Sequence, residues 1–152
     1  MKFLRILQLQ SGGGASGGIA GYIASLAGSQ SLRDFPFTVT VGKNEVEGLL
    51  QRRKYAAAEL VEIPATYGIT SFFSTIRCLR ALLHERDIDL IHAHALRTGF
   101  MCAFLNFFTG VRFVYTNHGL RFHQKRGNLT RLVFRLLERF VVQRASKVIC
   151  IR

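Results

Sequence analysis

The 152-residue chain is predicted to fold as a single α/β domain, an open parallel sheet with helices on both faces. Three observations predict this class. Apolar residues make up 49% of the sequence, which is enough to form one buried core. Short apolar runs alternate along the chain with segments of helical periodicity. A glycine-rich turn, "SGGGASGG", separates the first apolar run from the first helical segment.

The first part of the chain alternates between strand and helix patterns. Phe3–Leu9 is predicted to be a strand buried on both faces, and apolar residues then recur at helical spacing over Ile19–Ala27. Two further strands are predicted at Phe35–Gly42 and Glu59–Pro64, the second one ended by its proline. Residues 43–59 are charged and weakly patterned, and we expect a loop with some helix there.

The middle of the chain continues the alternation. A helix is predicted from Ser71, its expected N-cap, with one apolar face made by Phe72, Phe73, Ile76, Leu79 and Leu83. A strand follows at Asp89–His94, and then a mostly buried helix ended by Gly110. The next strand is predicted at Arg112–Gly119 and ends in polar residues.

The last helix has the clearest pattern. Asn128 is its expected N-cap, and one apolar stripe is formed by Leu129, Leu132, Val133, Leu136, Leu137, Phe140 and Val141. Arg131, Arg135 and Arg139 lie four residues apart on the other face. A final strand is predicted at Lys147–Ile151.

Strands that alternate with helices build βαβ units with right-handed crossovers, so the predicted fold is Rossmann-like. In such sheets ligands bind at the carboxyl ends of the strands. The glycine run, the end of "DLIHAH" and the turn "TNHG" all lie at the carboxyl ends of predicted strands. We therefore expect these three segments to converge on one edge of the sheet.

The glycine run formally matches a dinucleotide-binding fingerprint through Gly12, Gly14 and Gly17. Small residues before a helix expose backbone N–H groups that favour phosphate. The sequence lacks the Tyr-x-x-x-Lys pair of short-chain dehydrogenases and the Gly-Lys-Ser/Thr of a P-loop. Contact with a phosphate or substrate is favoured, and a tight turn for helix packing is the alternative.

Three histidines lie in or just after two of the predicted apolar strands, "DLIHAH" and "RFVYTNHG". His92 and His94 point to the same side of a strand, and His118 precedes a glycine. A metal site is not favoured, because too few further ligands are near in strand order. A structural role is favoured for His92, both roles stay open for His94, and a functional role is favoured for His118.

The formal net charge of +12 lies almost wholly in the second half of the chain. Residues 91–152 hold eleven Lys and Arg residues against one acid, Glu138. An anionic partner is expected, and acidic lipid is favoured over nucleic acid because no nucleic-acid-binding motif appears. No run approaches the ~20 apolar residues of a membrane span, so a cytoplasmic protein is predicted. Its three widely spaced cysteines are expected to be buried free thiols.

"DLIHAHALRTGFMCAFLNFFTGVRFVYTNHGLRF" followed by "LLERFVVQRASKVICI" resembles the N-terminal domain of GT-B glycosyltransferases of family 4 (group 1). That family has a Gly-Gly loop after the first strand, a strand ending in His-x-His and a strand ending in a Thr-x-His-Gly turn. The resemblance covers essentially the whole chain. It implies sugar transfer with retention, from a nucleotide-sugar donor to a lipid-linked or saccharide acceptor, without a metal or other cofactor.

The resemblance also implies roles for individual residues. Gly17 and Gly18 match the pair whose backbone approaches the donor diphosphate or the acceptor. His118, followed by Gly119, matches the histidine that contacts the transferred sugar and is the expected catalytic residue. His94, Arg97 and Gly99 fall on the segment that lines the acceptor side. For a basic surface formed by Lys125, Arg126, Arg131, Arg135 and Arg139, two interpretations stay open: peripheral contact with the cytoplasmic membrane face, and a solvated face without a partner.

The family's second domain binds most of the nucleotide, and no part of residues 1–152 matches it. The whole chain is therefore predicted to be a single acceptor-side domain that lacks the C-terminal donor-binding domain and is inactive alone. Two alternatives remain open. One is an NAD(P)-dependent oxidoreductase, and the other is a non-catalytic membrane-surface module derived from a glycosyltransferase.

Overall fold

The computed structural model describes residues 4–10, 18–28, 37–42, 59–64, 68–118 and 127–151. These residues form six strands: β1 Ile6–Leu9, β2 Phe37–Gly42, β3 Glu59–Ile63, β4 Leu90–His94, β5 Arg112–Asn117 and β6 Lys147–Cys150. They also form four helices: α1 Gly18–Gly28, α2 Ile69–Glu85, α3 Ala95–Thr109 and α4 Asn128–Arg144. No helix of this described part is long and apolar enough to cross a bilayer.

The six strands form one sheet in the order β3-β2-β1-β4-β5-β6, and every pair is parallel. The predicted open parallel sheet is thus confirmed. The chain proceeds outward from β1 in one direction and outward from β4 in the other. β1 and β4 therefore meet at the point where the strand order reverses, which is where open α/β sheets bind ligands.

Right-handed crossovers determine where the helices lie. The connections from β3 to β4, β4 to β5 and β5 to β6 run in one direction along the sheet, which places α2, α3 and α4 on one face. The β1–β2 connection runs in the opposite direction, so α1 covers the other face. Because both faces are covered, the central strands are buried throughout, as the run Leu7–Leu9 and the run Ile91–His94 show.

The strand predictions are confirmed, with shorter bounds at several ends. The segment predicted at Phe35–Gly42 is a strand from Phe37, and the one predicted from Arg112 ends at Asn117. Gly110 ends α3 with a left-handed backbone conformation (φ 70°), as expected for a glycine after a helix. The loop expected within residues 43–59 lies almost wholly outside the described residues.

Both predicted N-caps are wrong. α2 begins at Ile69 after Gly68, so Ser71 lies inside the first turn, where it is buried. α4 begins at Asn128 itself, after Gly127. In both helices the cap residue is a glycine that makes no side-chain hydrogen bond. Glycine is tolerated at an N-cap, and the predictions were wrong because Ser and Asn, which are preferred at N-caps, lie close to each glycine in sequence.

The apolar stripe predicted on α4 is only partly buried. Val141 is fully buried, but Leu129, Leu132, Val133 and Leu136 are exposed. Phe73 on α2 is likewise exposed and does not share the buried face with Leu79 and Leu82. The prediction of three buried thiols is also wrong in one case, because Cys102 is buried and Cys78 half-buried, whereas Cys150 is exposed.

Candidate functional site

A group of polar side chains lies where β1, β4 and β5 end. Leu9 of β1 pairs with Ala93 of β4, and His94 pairs with Thr116 of β5. This register brings Gln8, His94 and His118 to the same edge, although 86 residues separate the first two in sequence. The convergence expected from strand order is thus observed for the ends of β4 and β5. The glycine run lies outside the described residues up to Gly17.

Two hydrogen bonds link these side chains into a chain. His94 donates its Nε2–H to the side-chain oxygen Oε1 of Gln8 at 2.7 Å. The other ring nitrogen of His94, Nδ1, lies 3.1 Å from Nε2 of His118. A neutral imidazole has one N–H, so Nδ1 of His94 must accept and Nε2 of His118 must donate. The Gln8 carbonyl oxygen therefore fixes the tautomer of His94 and, through it, that of His118.

Burial keeps these rings neutral. His94 is fully buried, and the loss of hydration, reinforced by His92 and His118, lowers its pKa to about 2. Burial, followed by the effect of His118, lowers the pKa of His92 to about 4. The half-buried His118 also has a lowered pKa because of burial. Near neutral pH, the described site therefore presents uncharged imidazoles.

Two further contacts hold the histidines in place. His92 Nε2 shares a hydrogen bond of 2.7 Å with the hydroxyl of Thr116, and its ring lies 4.2 Å from that of His94. Tyr22 of α1 meets the rings of His94 and His118 edge-on, at centroid distances of 5.7 and 5.6 Å. The helix that follows the glycine run thus packs directly on the histidine pair.

The junction from β4 to α3 has an unusual backbone. Ala95 follows His94 directly and has φ 72°, a left-handed conformation that costs a non-glycine residue about 1–2 kcal/mol. The hydroxyl of Thr98 donates to the carbonyl oxygens of His94 and, at 2.9 Å, Ala95. Strained residues of this kind cluster at functional sites. This turn fixes His94 at the end of β4, where the chain enters α3.

Glu138 of α4, the only acid among residues 91–152, is hydrogen-bonded to two side chains of β5. The hydroxyl of Tyr115 donates to its Oε1 at 2.8 Å, and Asn117 donates from Nδ2 at 2.7 Å. Burial raises the pKa of Glu138, and the bond from Tyr115 acts against that rise. Burial also raises the pKa of Tyr115. These bonds fix α4 beside the strand that leads to His118.

The model for the glycosyl transferase 4-like domain matches residues 17–152. The chain belongs to this family. The resemblance drawn from the sequence is therefore confirmed, and the domain has the fold of the N-terminal half of a GT-B glycosyltransferase. No curated protein matches the chain.

Solved structures show the same fold for this family member. A candidate UDP-N-acetylglucosamine 2-epimerase from Listeria monocytogenes superposes with a TM-score of 0.68 at 13% identity, over 97% of this chain and 39% of its own. Sucrose-phosphate synthase from Thermosynechococcus elongatus gives 0.68 at 15% identity, over 97% and 42%. Alr3699/HepE from Anabaena, in complex with UDP-glucose, gives 0.64 at 19% identity, over 95% and 36%. The chain thus spans less than half the length of these structures.

The residues that the sequence predicts for the site of this glycosyltransferase-like domain do not all lie together in the structure. His118 is half-buried at the sheet edge, and Gly18 begins α1, where the described residues leave room for a Cβ. Gly17, Gly119, Lys125 and Arg126 lie outside the described residues. His94 is interior, with both ring nitrogens bonded, so it reaches the edge only through His118.

Arg97 and Gly99, both expected on the acceptor side, lie on α3. Arg97 lines a cavity of about 230 Å³ with side chains of α2, α3 and α4, including Phe72, Phe100 and Phe134. Gly99 instead packs against Tyr115 and Val141, under α4. No three His, Cys, Asp or Glu residues in the described part of the chain are grouped as a metal site would require.

Sequence reasoning missed Gln8, Tyr22 and Thr116. Gln8 was detectable as a polar residue within an apolar strand, because buried polar side chains need partners. Tyr22 and Thr116 carry no comparable signal. Their contacts depend on the strand order and on the face that α1 covers, which the sequence did not determine.

Buried neutral histidines make stability depend on pH. In the unfolded chain these rings bind protons below about pH 6.5, whereas folded His92 and His94 bind them only near pH 4 and 2. The free energy of unfolding is therefore highest above pH 6.5 and falls as the pH drops, by up to about 1.4 kcal/mol per unit for each ring. Urea unfolding at pH 7.5, 6.5 and 5.5 measures this slope.

A matched pair of variants isolates the cause of this pH dependence. His94→Gln is expected to reduce the slope by about one proton. Gln143→Asn, at an exposed position on α4 and without a titratable group, is expected to keep the wild-type slope. A slope that is equal in all three proteins would show that the buried histidines do not cause it.

Proposed function

We propose that this domain is the acceptor-side half of a retaining glycosyltransferase that moves a sugar from a nucleotide-sugar donor to a lipid-linked or polysaccharide acceptor. The observation that carries the proposal is the Gln8–His94–His118 chain of a glycosyl transferase 4-like domain, which runs from the reversal point between β1 and β4 to the end of β5. The HepE structure with UDP-glucose supports a nucleotide sugar as the donor.

His118 is the residue proposed to contact the transferred sugar. Its Nε2–H is committed to His94, and Nδ1 makes no hydrogen bond within the described part of the chain. A neutral imidazole in this tautomer offers Nδ1 as an acceptor for a sugar hydroxyl. The neutral ring therefore orients the donor sugar without adding a positive charge beside the departing diphosphate.

The donor phosphates are proposed to approach the start of α1. Gly18 begins this helix, and among the described residues no heavy atom beyond its neighbours and the helix backbone lies within 4 Å of the place where its Cβ would be. Free backbone N–H groups at a helix N-terminus favour phosphate. Gly17 is proposed to share this role. The rest of the nucleotide is proposed to be held by a donor-binding domain outside these residues, and the reaction to need no metal or other cofactor.

The basic face of α4 is proposed to lie on the cytoplasmic membrane surface. Arg131, Arg135 and Arg139 are exposed, and the apolar side chains Leu129 and Leu132 beside them are exposed as well. An amphipathic helix with arginines and exposed leucines binds at an anionic lipid interface. Lys125 and Arg126, just before the helix in sequence, are proposed to extend this surface.

Co-sedimentation with vesicles tests the membrane proposal. Each basic residue near an anionic surface contributes about 1 kcal/mol, so changing Arg131, Arg135 and Arg139 to glutamate is expected to weaken binding more than 100-fold. Leu132→Ser with Leu136→Ser is expected to weaken it also, because both side chains are exposed. Neutral phosphatidylcholine vesicles are the control. Unchanged binding of the triple variant to anionic vesicles would show that the arginines of α4 do not form a membrane-binding surface.

A transfer assay tests the proposed reaction. The 152-residue chain alone is expected to show no turnover of any nucleotide sugar. A chimera that joins this domain to the donor-binding domain of a family relative is expected to transfer the sugar with the anomeric configuration retained, as followed by NMR of the product. Turnover by the chain alone would contradict the proposal that a separate domain must bind the donor. A product with inverted anomeric configuration would contradict the proposed retaining mechanism.

A further inference from the structure

A second cavity lies where β4 and β5 begin, at the end of the sheet opposite to the histidines. It has a volume of about 730 Å³, within the range of small-molecule sites. Its lining includes Asp89 and Arg112, which flank the starts of β4 and β5, and Gly110 at the end of α3. Because β4 is five residues long, this cavity lies about 16 Å from the His94 end of the same strand.

The rim of this cavity is strongly basic. Arg77 and Arg80 lie three residues apart on one face of α2, and Arg112 faces them from the start of β5. The guanidinium groups of these three residues make no ion pair or hydrogen bond within the described ranges. The nearby Arg5 and Arg86, by contrast, pair with Asp87 and Glu59.

One carboxylate, Asp89, also lines the cavity. Its Oδ2 accepts the backbone N–H of Arg5 at 2.9 Å, so it is part of the β1–β4 connection. The carbonyl ends of α2 and α3 add some negative potential. Three guanidinium groups against one carboxylate leave the cavity clearly positive.

The floor of the cavity is apolar. It is formed by Leu83, Ile88 and Val111, which pack on the hydrophobic core, together with Ala81. An inorganic ion would leave this floor uncovered. A ligand that joins an anionic group to an apolar group satisfies both surfaces. Guanidinium groups bind phosphate through paired N–H donors, which favours a phosphomonoester over a single carboxylate.

We propose that this cavity is a binding site for a phosphomonoester that carries an apolar group, such as a soluble alkyl phosphate or the headgroup of phosphatidic acid. The phosphate lies among Arg77, Arg80 and Arg112, and the apolar group covers Leu83, Ile88 and Val111. The site is separate from the proposed transfer centre, and its existence does not depend on the chain's catalytic role.

Titration of the 15N-labelled chain with hexyl phosphate tests the site. The amide signals of Ile88 and Val111 are expected to shift with a saturable curve. Arg80→Gln and Arg112→Gln are each expected to weaken binding about tenfold or more, because each removes charge-assisted hydrogen bonds. Lys147→Gln, which removes an exposed charge outside the cavity lining, is expected to leave the affinity unchanged. Circular dichroism confirms that the variants are folded.

Two further ligands and one vesicle experiment complete the test. Inorganic phosphate and hexyl glucoside are each expected to bind at least about tenfold more weakly than hexyl phosphate. Arg80→Gln losing affinity for phosphatidic acid vesicles would identify a lipid headgroup as the source, and binding of hexyl phosphate alone would identify a soluble ester. Equal affinity of hexyl phosphate for wild type and both arginine variants, or equal binding of the neutral glucoside, would overturn the proposal.

Discussion

Replacing His118 by alanine is expected to lower kcat for sugar transfer about 100- to 1000-fold in an enzyme that contains this domain, with the fold intact. The expected size is that of losing one preorganised polar contact to the reacting group. The side chain is half-buried at the sheet edge and its ring is held by His94 and Tyr22. The domain therefore loses an oriented group rather than part of its core.

The tautomer chain predicts how neighbouring variants behave. His118→Asn keeps one acceptor and is expected to retain more activity than alanine. Gln8→Leu removes the oxygen that fixes His94, so it is expected to lower kcat more than it raises KM and to change the 15N shifts of the His118 ring nitrogens. Near-normal turnover by His118→Ala would reduce His118 to a turn residue.

Adding one methyl group at Gly99 is expected to destabilise the domain, whereas the same change at Gly21 is expected to stabilise it. A Cβ at Gly99 would lie 2.8 Å from Val141 and 2.9 Å from the ring of Tyr115. Both neighbours are fully buried, and Tyr115 is also held by its bond to Glu138. Overpacking of this kind costs about 1–3 kcal/mol, more than the ~1 kcal/mol that alanine gains over glycine in a helix.

Gly21 provides the matched control on α1. Outside the helix backbone and the adjoining residues, no heavy atom of the described part of the chain lies within 4 Å of the place of its Cβ, so Gly21→Ala gains the helix propensity without a clash. The two alanine variants should differ by about 2 kcal/mol in unfolding free energy, or about 4–8 °C in Tm for a domain of this size. Gly99→Val should be less stable than Gly99→Ala. Equal Tm values for the two alanine variants would show that α3 moves freely away from Tyr115.

Much of the fold was predictable because the strands carry strong local signals. The apolar runs at β1, β4 and β5 are short, and the helical segments between them keep their periodicity. The family resemblance depended on the same segments. Helix starts were less predictable, because a glycine and a nearby polar residue compete for the N-cap and the local sequence does not decide between them.

Burial on α4 was not predictable from periodicity. An apolar stripe shows which side chains share a face but not whether anything covers that face. Val141 packs against Gly99 of α3, whereas Leu129 and Leu136 remain exposed. The same limit applies to the basic cavity, since Arg77 and Arg112 belong to different elements and meet only through the sheet order.

The candidate site was half predictable. The rule that the carboxyl ends of parallel strands lie at one edge of the sheet predicted that His94 and His118 lie close together. It did not reveal that His94 is buried or that Gln8 fixes its proton, because those depend on the β1–β4 pairing. The strand order found here is also that of dinucleotide-binding domains, so the oxidoreductase alternative needs a direct test.

Titration of the 15N-labelled chain with UDP-glucose, and separately with NAD, tests the central proposal most directly. UDP-glucose is expected to shift the amides of Gly18, Asn117 and His118 with weak affinity, in about the millimolar range, because this domain contacts only the sugar and diphosphate. NAD is expected to leave these amides unchanged. Tight binding of NAD at the same edge, with no response there to UDP-glucose, would contradict assignment of the domain to sugar transfer.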